Sequence, residues 1–287
     1  MVAKQQHYVP QFLLRRWCVG NTESINVLDK TTRKIFLANP RDVGGEQFFY
    51  SHLPEGQVLE KWFTDLEGKA SSLCNRIERA RTVSEFTDLE RFDLCQFITA
   101  SLVRTRETRE EVTQLSEGFA NTIARKMNVT DWEYRLTEDG ALVHHINIFP
   151  EIPKFALMLM NLQSVVEVNE TDLPLTTSDH PVVRYNDLPP RPGGGGRFGF
   201  KSRGVQFHMP ISPRTCLQLL HPGAYGFLPS EWILSDVQNV VFERWLQLDQ
   251  SYRHEFSRSD DDFRTELSIL DENPDIGHPG RQRFRLD

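Results

Sequence analysis

The chain has 287 residues, with 33 Lys+Arg against 40 Asp+Glu, 39% hydrophobic and 25% charged residues, and a formal net charge of -7. Nineteen Phe and five Trp supply a packed core, which excludes a disordered chain, and no run approaches the roughly 18 apolar residues of a membrane helix. The opening MVAKQQHYVP has no apolar signal region, so a cytoplasmic location without membrane contact is expected.

QFLLRRW, behind Pro10, reads as a short helix, because proline's missing N–H is tolerated in a first turn. INVLDK and KIFLA, joined by a polar turn, predict a hairpin. From Val58 to Ala80 the apolar residues Leu59, Trp62, Phe63, Leu66, Ala70, Leu73 and Ile77 recur at steps of three and four, the pattern of an amphipathic helix. Thr87 to Glu90 has the capping-box form and opens a second helix. Helical character continues through RETREEVTQLSEGFANTIARKM, then in KFALMLMNL. SVVEV, PLTTS, PVVRY, VQFHMPIS and TCLQLLH read as strands, and SEWILSDVQNVVFERWLQL as one long helix. The loop at 191–200, with its four consecutive glycines, reads as a surface excursion and lacks the lysine of a phosphate-binding loop.

The organisation expected is α+β: a helical layer from the first half packed on a mostly antiparallel sheet from the second, forming one domain over residues 1–256. Residues 257–287 are expected to be an acidic, flexible tail.

The segment QHYVPQFLLRRW resembles the signature of a bacterial family known as domain of unknown function 4238, which opens on a His-Tyr-Val-Pro motif. The resemblance continues through Glu46, Phe49 and Tyr50 in EQFFY, Glu60 and Glu67 in LEKWFTDLE, and Arg104 in FITASLVRTR. It then takes in Asp179 and Pro181 in TTSDHPVV, Pro210 and Pro213 in MPISP, and Asn239, so it spans about residues 4–256. The family commonly places a Gln a few residues before the helical arginine, and LVRTR has no close equivalent. The resemblance implies a fold and a set of polar positions, and membership of an accessory family suggests a dispensable role such as phage defence.

Among those positions, His7 precedes a proline-stiffened turn that can aim it into a cleft, or it caps the short helix. Asp179, just after a strand, suits a metal ligand or base, and equally a turn bonded to its own backbone. Glu46 follows two glycines, which suit a catalytic loop or mark a bulge. Glu60 and Glu67 lie two turns apart on one helix, and Glu67 is expected to pair with Arg104. His144 and His145 read as strand neighbours pointing apart, and His208 as a core histidine. Cys18, Cys74, Cys95 and Cys216 match no zinc spacing and read as buried hydrophobes.

These residues support two readings. In the first, the chain is a metal-assisted hydrolase of phosphodiesters: Glu46 and Asp179 hold Mg²⁺ or Mn²⁺, His7 is the general acid or base, and Arg104 binds phosphate. Because the acid sits in the carboxy half, a nucleic-acid partner would need a local basic patch, for which Arg104, Arg106 and Arg109 are the candidates, interleaved with Glu107, Glu110 and Glu111. In the second, the protein is a non-catalytic interaction or sensor module whose polar motifs are structural and whose glycine-rich loop and acidic tail meet a protein partner.

Overall fold

A computed structural model of the chain describes residues 5–50, 54–129, 132–189, 198–278 and 281–282, with side chains omitted at 54–57. The expected glycine-rich excursion at 191–200 falls mostly outside the described residues.

The first half runs β1 (Gln5–His7), α1 (Gln11–Leu14), β2 (Ile25–Asp29), β3 (Lys34–Ala38), β4 (Gly45–Gln47), α2 (Pro54–Ala80), α3 (Asp88–Val103), α4 (Arg106–Lys126) and α5 (Glu138–Ile146). The second half runs α6 (Ile152–Leu159), β5 (Gln163–Asn169), β6 (Thr177–Ser178), β7 (Val183–Tyr185), β8 (Gln206–Ser212), β9 (Thr215–Leu220), α7 (Pro222–Tyr225), β10 (Glu231–Leu234), α8 (Val237–Gln250), β11 (His254–Ser257) and α9 (Arg264–Glu272).

The architecture is α+β, with a helical region against antiparallel and mixed sheets. A five-stranded sheet in the order β10-β5-β9-β8-β7 is antiparallel except for β10, which runs parallel to β5. The main core joins the helices to this sheet through residues such as Phe63, Phe97, Ile152, Val166, Phe207 and Leu217. A second sheet, β3-β2-β11-β6, unites the early hairpin with two strands from the other half.

The helix starts follow local chemistry. Thr87 and Glu90 form the reciprocal capping box expected at α3. Thr105 caps α4 by accepting from the Thr108 N–H, so the run through VRTR breaks into two helices with Arg104 at the joint. Gly44 and Gly45 bring β4 against β1. The Tyr8 and Val9 N–H groups both donate to the Gly44 carbonyl at 2.9 Å, and a Cβ on Gly45 would lie 2.8 Å from the Gln6 carbonyl oxygen.

Three expectations change. EWIL does not begin the long helix: it forms β10 beside β5, and Asp236 caps α8 immediately afterwards by accepting from the Gln238 N–H. His144 and His145 lie on α5 rather than a strand. The residues after 256 are not a free tail as far as 278, because Phe263, Leu270 and Ile276 pack with Leu28 and Leu248 in a separate small core. Burying those three apolar side chains offsets the entropy of ordering the segment.

Two candidate sites

His7 lies at the end of β1, whose neighbour β4 is held at close range by the glycine pair. Its Nε2–H donates to the Arg41 carbonyl at 3.0 Å, which leaves Nδ1 as the basic nitrogen. Burial lowers the pKa of the imidazole; the Arg41 carbonyl and Glu67 oppose that shift and Arg104 reinforces it. Tyr50 fixes the strand by donating from its hydroxyl to the His7 carbonyl at 3.0 Å.

Arg104, at the joint between α3 and α4, is 1% exposed. Its Nη1 meets Glu67 Oε1 at 2.7 Å, the pairing expected from the sequence. The guanidinium lies over the Phe63 ring, 4.8 Å from its centroid. Its Nε and Nη2, which together form the edge of the guanidinium that grips an oxyanion bidentately, are buried without a hydrogen-bond partner. Glu60, two turns before Glu67 on α2, also has a buried unpartnered oxygen. Burial raises its carboxyl to about 7, with Arg104 opposing and Glu67 adding to the rise. Half-buried His7, Glu60 and Glu67 therefore gather around a deeper cation that has two N–H groups to give.

Glu46 and Asp179 are not part of this group. Both raise the pKa of Tyr8, the residue after His7, beyond what burial does. Glu46 approaches Arg106 at 3.6 Å. Asp179 is fully buried and uses both oxygens as a backbone anchor: Oδ1 accepts from the Tyr252 N–H at 2.7 Å, and Oδ2 from the Arg253 and His254 N–H groups at 2.9 and 2.8 Å. This is not the expected turn bonded to its own backbone: the carboxylate instead fixes a distant bend, the one between α8 and β11. Among the described residues, Glu46 and Asp179 belong to no group of three or more His, Cys, Asp or Glu side chains close enough to share one ion.

The three candidate arginines do not share a surface. Arg104 is inside, Arg106 lies over the Tyr252 ring, and Arg109 stacks on Phe49 at 3.8 Å. Arg109 also donates from Nε to His145 Nδ1 at 3.3 Å, while His145 Nε2–H reaches the Val103 carbonyl at 2.7 Å. Burial, with Arg109 beside it, depresses His145 to about 3, so it is a neutral core histidine.

A second polar cluster lies within the five-stranded sheet and α8. Glu167 of β5, His208 of β8, Cys216 of β9 and Glu243 of α8 are all buried, and one ligand atom from each lies within 4.8 Å of the others. Strand register creates the group: Glu167 is the cross-strand partner of Cys216, and His208 that of Gln218. His208 Nδ1 is 2.9 Å from Glu243 Oε1, and the Cys216 thiol donates to Glu243 Oε2 at 3.7 Å. These Glu, His and Cys side chains are geometrically compatible with a divalent metal ion.

From the sequence, His208 and Cys216 read as core residues without a role. The available signal was alternation, since Gln206 and His208 on one strand, and Cys216 and Gln218 on the next, put polar atoms on one face of otherwise apolar runs. Glu167 in SVVEV breaks its run in the same way.

A family model described as protein of unknown function (DUF4238) matches residues 5–254, and the chain belongs to that family. No curated protein and no solved structure gives a significant match. No described helix is long and apolar enough to cross a membrane.

Proposed function

We propose that this member of the family hydrolyses phosphate esters, most directly phosphodiesters, at the cluster of His7, Glu60, Glu67 and Arg104. The observation that carries this reading is the empty side-on edge of Arg104. A buried guanidinium ordinarily spends its N–H groups on protein acceptors, because an unpaired one keeps the cost of desolvation. Here Glu67 holds Nη1 and orients the plane, while Nε and Nη2 are buried with no protein acceptor, and in this reading they meet two phosphoryl oxygens.

The acid–base groups have the complementary states. His7 is neutral at pH 7 with Nδ1 basic, and takes a proton from the attacking water. Glu60, with its carboxyl near 7, delivers a proton to the leaving oxygen as the phosphorus–oxygen bond breaks. Arg104 stabilises the charge that gathers on the non-bridging oxygens. Glu46, Asp179 and Arg106 lie beside Tyr8 and serve as the support of this strand in the proposal.

The test is steady-state hydrolysis of bis(p-nitrophenyl) phosphate and of single-stranded DNA and RNA by the purified chain. Arg104→Lys, which keeps the charge and loses the two-pronged edge, is expected to lower kcat/KM by about 10²-fold or more. His7→Asn is expected to lower kcat by about 10²–10⁴-fold. A wild-type protein inactive on all these substrates with Zn²⁺, Mn²⁺ and Mg²⁺ each supplied, or variants as active as wild type, would overturn the reading. Unchanged phage survival after deletion of the gene would argue against a defence role.

A further inference from the structure

The geometry points to the Glu167–His208–Cys216–Glu243 cluster as a closed zinc site that locks α8 onto the five-stranded sheet. This goes beyond the proposed hydrolysis and stands independently of it, because none of the four residues belongs to the His7 group.

The argument starts from hydrogen-bond accounting. Gln206 Oε1 accepts from His208 Nε2–H at 3.0 Å, so in the neutral imidazole Nδ1 presents its lone pair to the cluster. That lone pair faces the two oxygens of Glu243 at 2.9 and 3.1 Å. The imidazole and the carboxylate therefore meet at hydrogen-bond distance, a contact that needs a proton or a metal cation between the two acceptors. The nearest donor, the amide of Gln218, lies 3.0 Å from His208 Nδ1 and 3.4 Å from Glu243 Oε1. It also hydrogen-bonds Glu167, so its two N–H groups serve three acceptor residues. Glu167 Oε2 has no partner at all, although the residue is only 7% exposed. An acceptor-rich pocket of this kind is completed by a positive ion, and burial denies it to water.

The donor set selects the metal. A thiolate and an imidazole are the ligands of zinc, whereas Mg²⁺ and Ca²⁺ take oxygen and keep several waters, for which a pocket this deeply buried leaves no room. Tetrahedral zinc places its ligand atoms roughly 3.3–3.8 Å apart. The present spread of up to 4.8 Å reaches that range with side-chain adjustments on the order of an ångström. On binding, the Cys216 thiol releases its proton to solvent and forms the zinc–sulfur bond. The Gln206 carbonyl bonded to Nε2–H is the outer partner that fixes the histidine tautomer in metal sites. With four protein ligands and no exposed member, the site is closed, so its role is to hold the fold.

The experiment is metal analysis of protein purified without chelators, followed by spectroscopy. About one zinc per chain is expected. Apo protein should gain about 5 °C or more in Tm with Zn²⁺ and little with Mg²⁺ or Mn²⁺. Co²⁺ in place of zinc is expected to give the near-ultraviolet thiolate-to-metal band and the visible bands of a tetrahedral site. Cys216→Ser is expected to lose the thiolate band, and Glu167→Gln to weaken Zn²⁺ binding at least 10-fold. Cys95→Ser, at a buried cysteine on α3, should retain both. Absence of zinc together with no Zn²⁺ shift overturns the assignment, as does bound Co²⁺ without a thiolate band. An Mg²⁺ or Mn²⁺ shift equal to that of Zn²⁺ overturns the choice of metal. Should Cys216→Ser fail to fold, the wild-type Co²⁺ spectrum still decides. Cys18, Cys74 and Cys95 lie in no ligand group among the described residues, so a thiolate band reports Cys216.

Discussion

Two arginines are buried to the same degree in different halves of the molecule, and their partners differ. Arg244, on α8, is satisfied: Nε and Nη2 grip both oxygens of Glu266 at 2.7 and 2.6 Å, Nη1 donates to the Pro174 carbonyl at 2.7 Å, and Nη2 also reaches the Asp262 carbonyl. Arg104 meets one carboxylate oxygen and leaves an edge empty. Burial alone would class them together. The hydrogen-bond count separates a cation that fastens α9 to α8 from one whose buried N–H groups the protein leaves partly unanswered.

Mutation should break the comparison most sharply at Arg244. Arg244→Ala leaves the fully buried Glu266 carboxylate without its counter-ion, and a loss of about 3–5 kcal/mol is expected in urea unfolding. Asp179→Ala comes next. It strands three backbone N–H groups at the turn into β11, and a loss of about 2–4 kcal/mol is expected by the same measurement. Asp179 thus belongs with Arg244 as a fastening residue, and its substitution would act on activity only through the fold. Arg104→Lys should cost about 1–2 kcal/mol, because the half-exposed Glu67 can turn to water. Its distinctive effect should be on ligand stabilisation: millimolar vanadate or phosphate is expected to raise the Tm of the wild type and of α8–α9 variants that fold, and not that of Arg104→Lys.

The smallest effect concerns Glu60. Its folded-state pKa, about 7, lies above the usual 4.5, so its contribution to stability is complete below about pH 4.5 and is lost as pH rises through 7. Glu60→Gln should flatten that slope between pH 5 and 8. After allowance for solvent around a half-exposed helix face, the difference is about 1 kcal/mol. The same substitution should remove the alkaline limb of the pH–rate profile, and an unchanged limb would assign it to another group.

Much of the fold is legible in local pattern. The three-and-four spacing from Leu59 to Ile77 gives α2, Thr87 and Glu90 give the start of α3, and the TTR turn gives the β2–β3 hairpin. EWIL misleads because it abuts a true helix and becomes a strand only through its neighbour β5. The segment after 256 misleads because its acidic residues outnumber the few apolar ones that anchor it. Of the candidate residues, the Glu67–Arg104 pair is visible from helix faces. The Glu167–His208–Cys216–Glu243 group is not, since it depends on the register of three strands and on where α8 crosses them.

The second sheet also constrains how the chain is made. Its inner strand β2 is flanked by β3, its hairpin partner, and by β11, whose residues His254–Ser257 are translated long after it. Until the ribosome has delivered β11, one edge of β2 has no strand to pair with, and an open edge invites other nascent chains. The hairpin must therefore wait, or be shielded, through most of synthesis, and completion of the sheet becomes a late and slow event in folding.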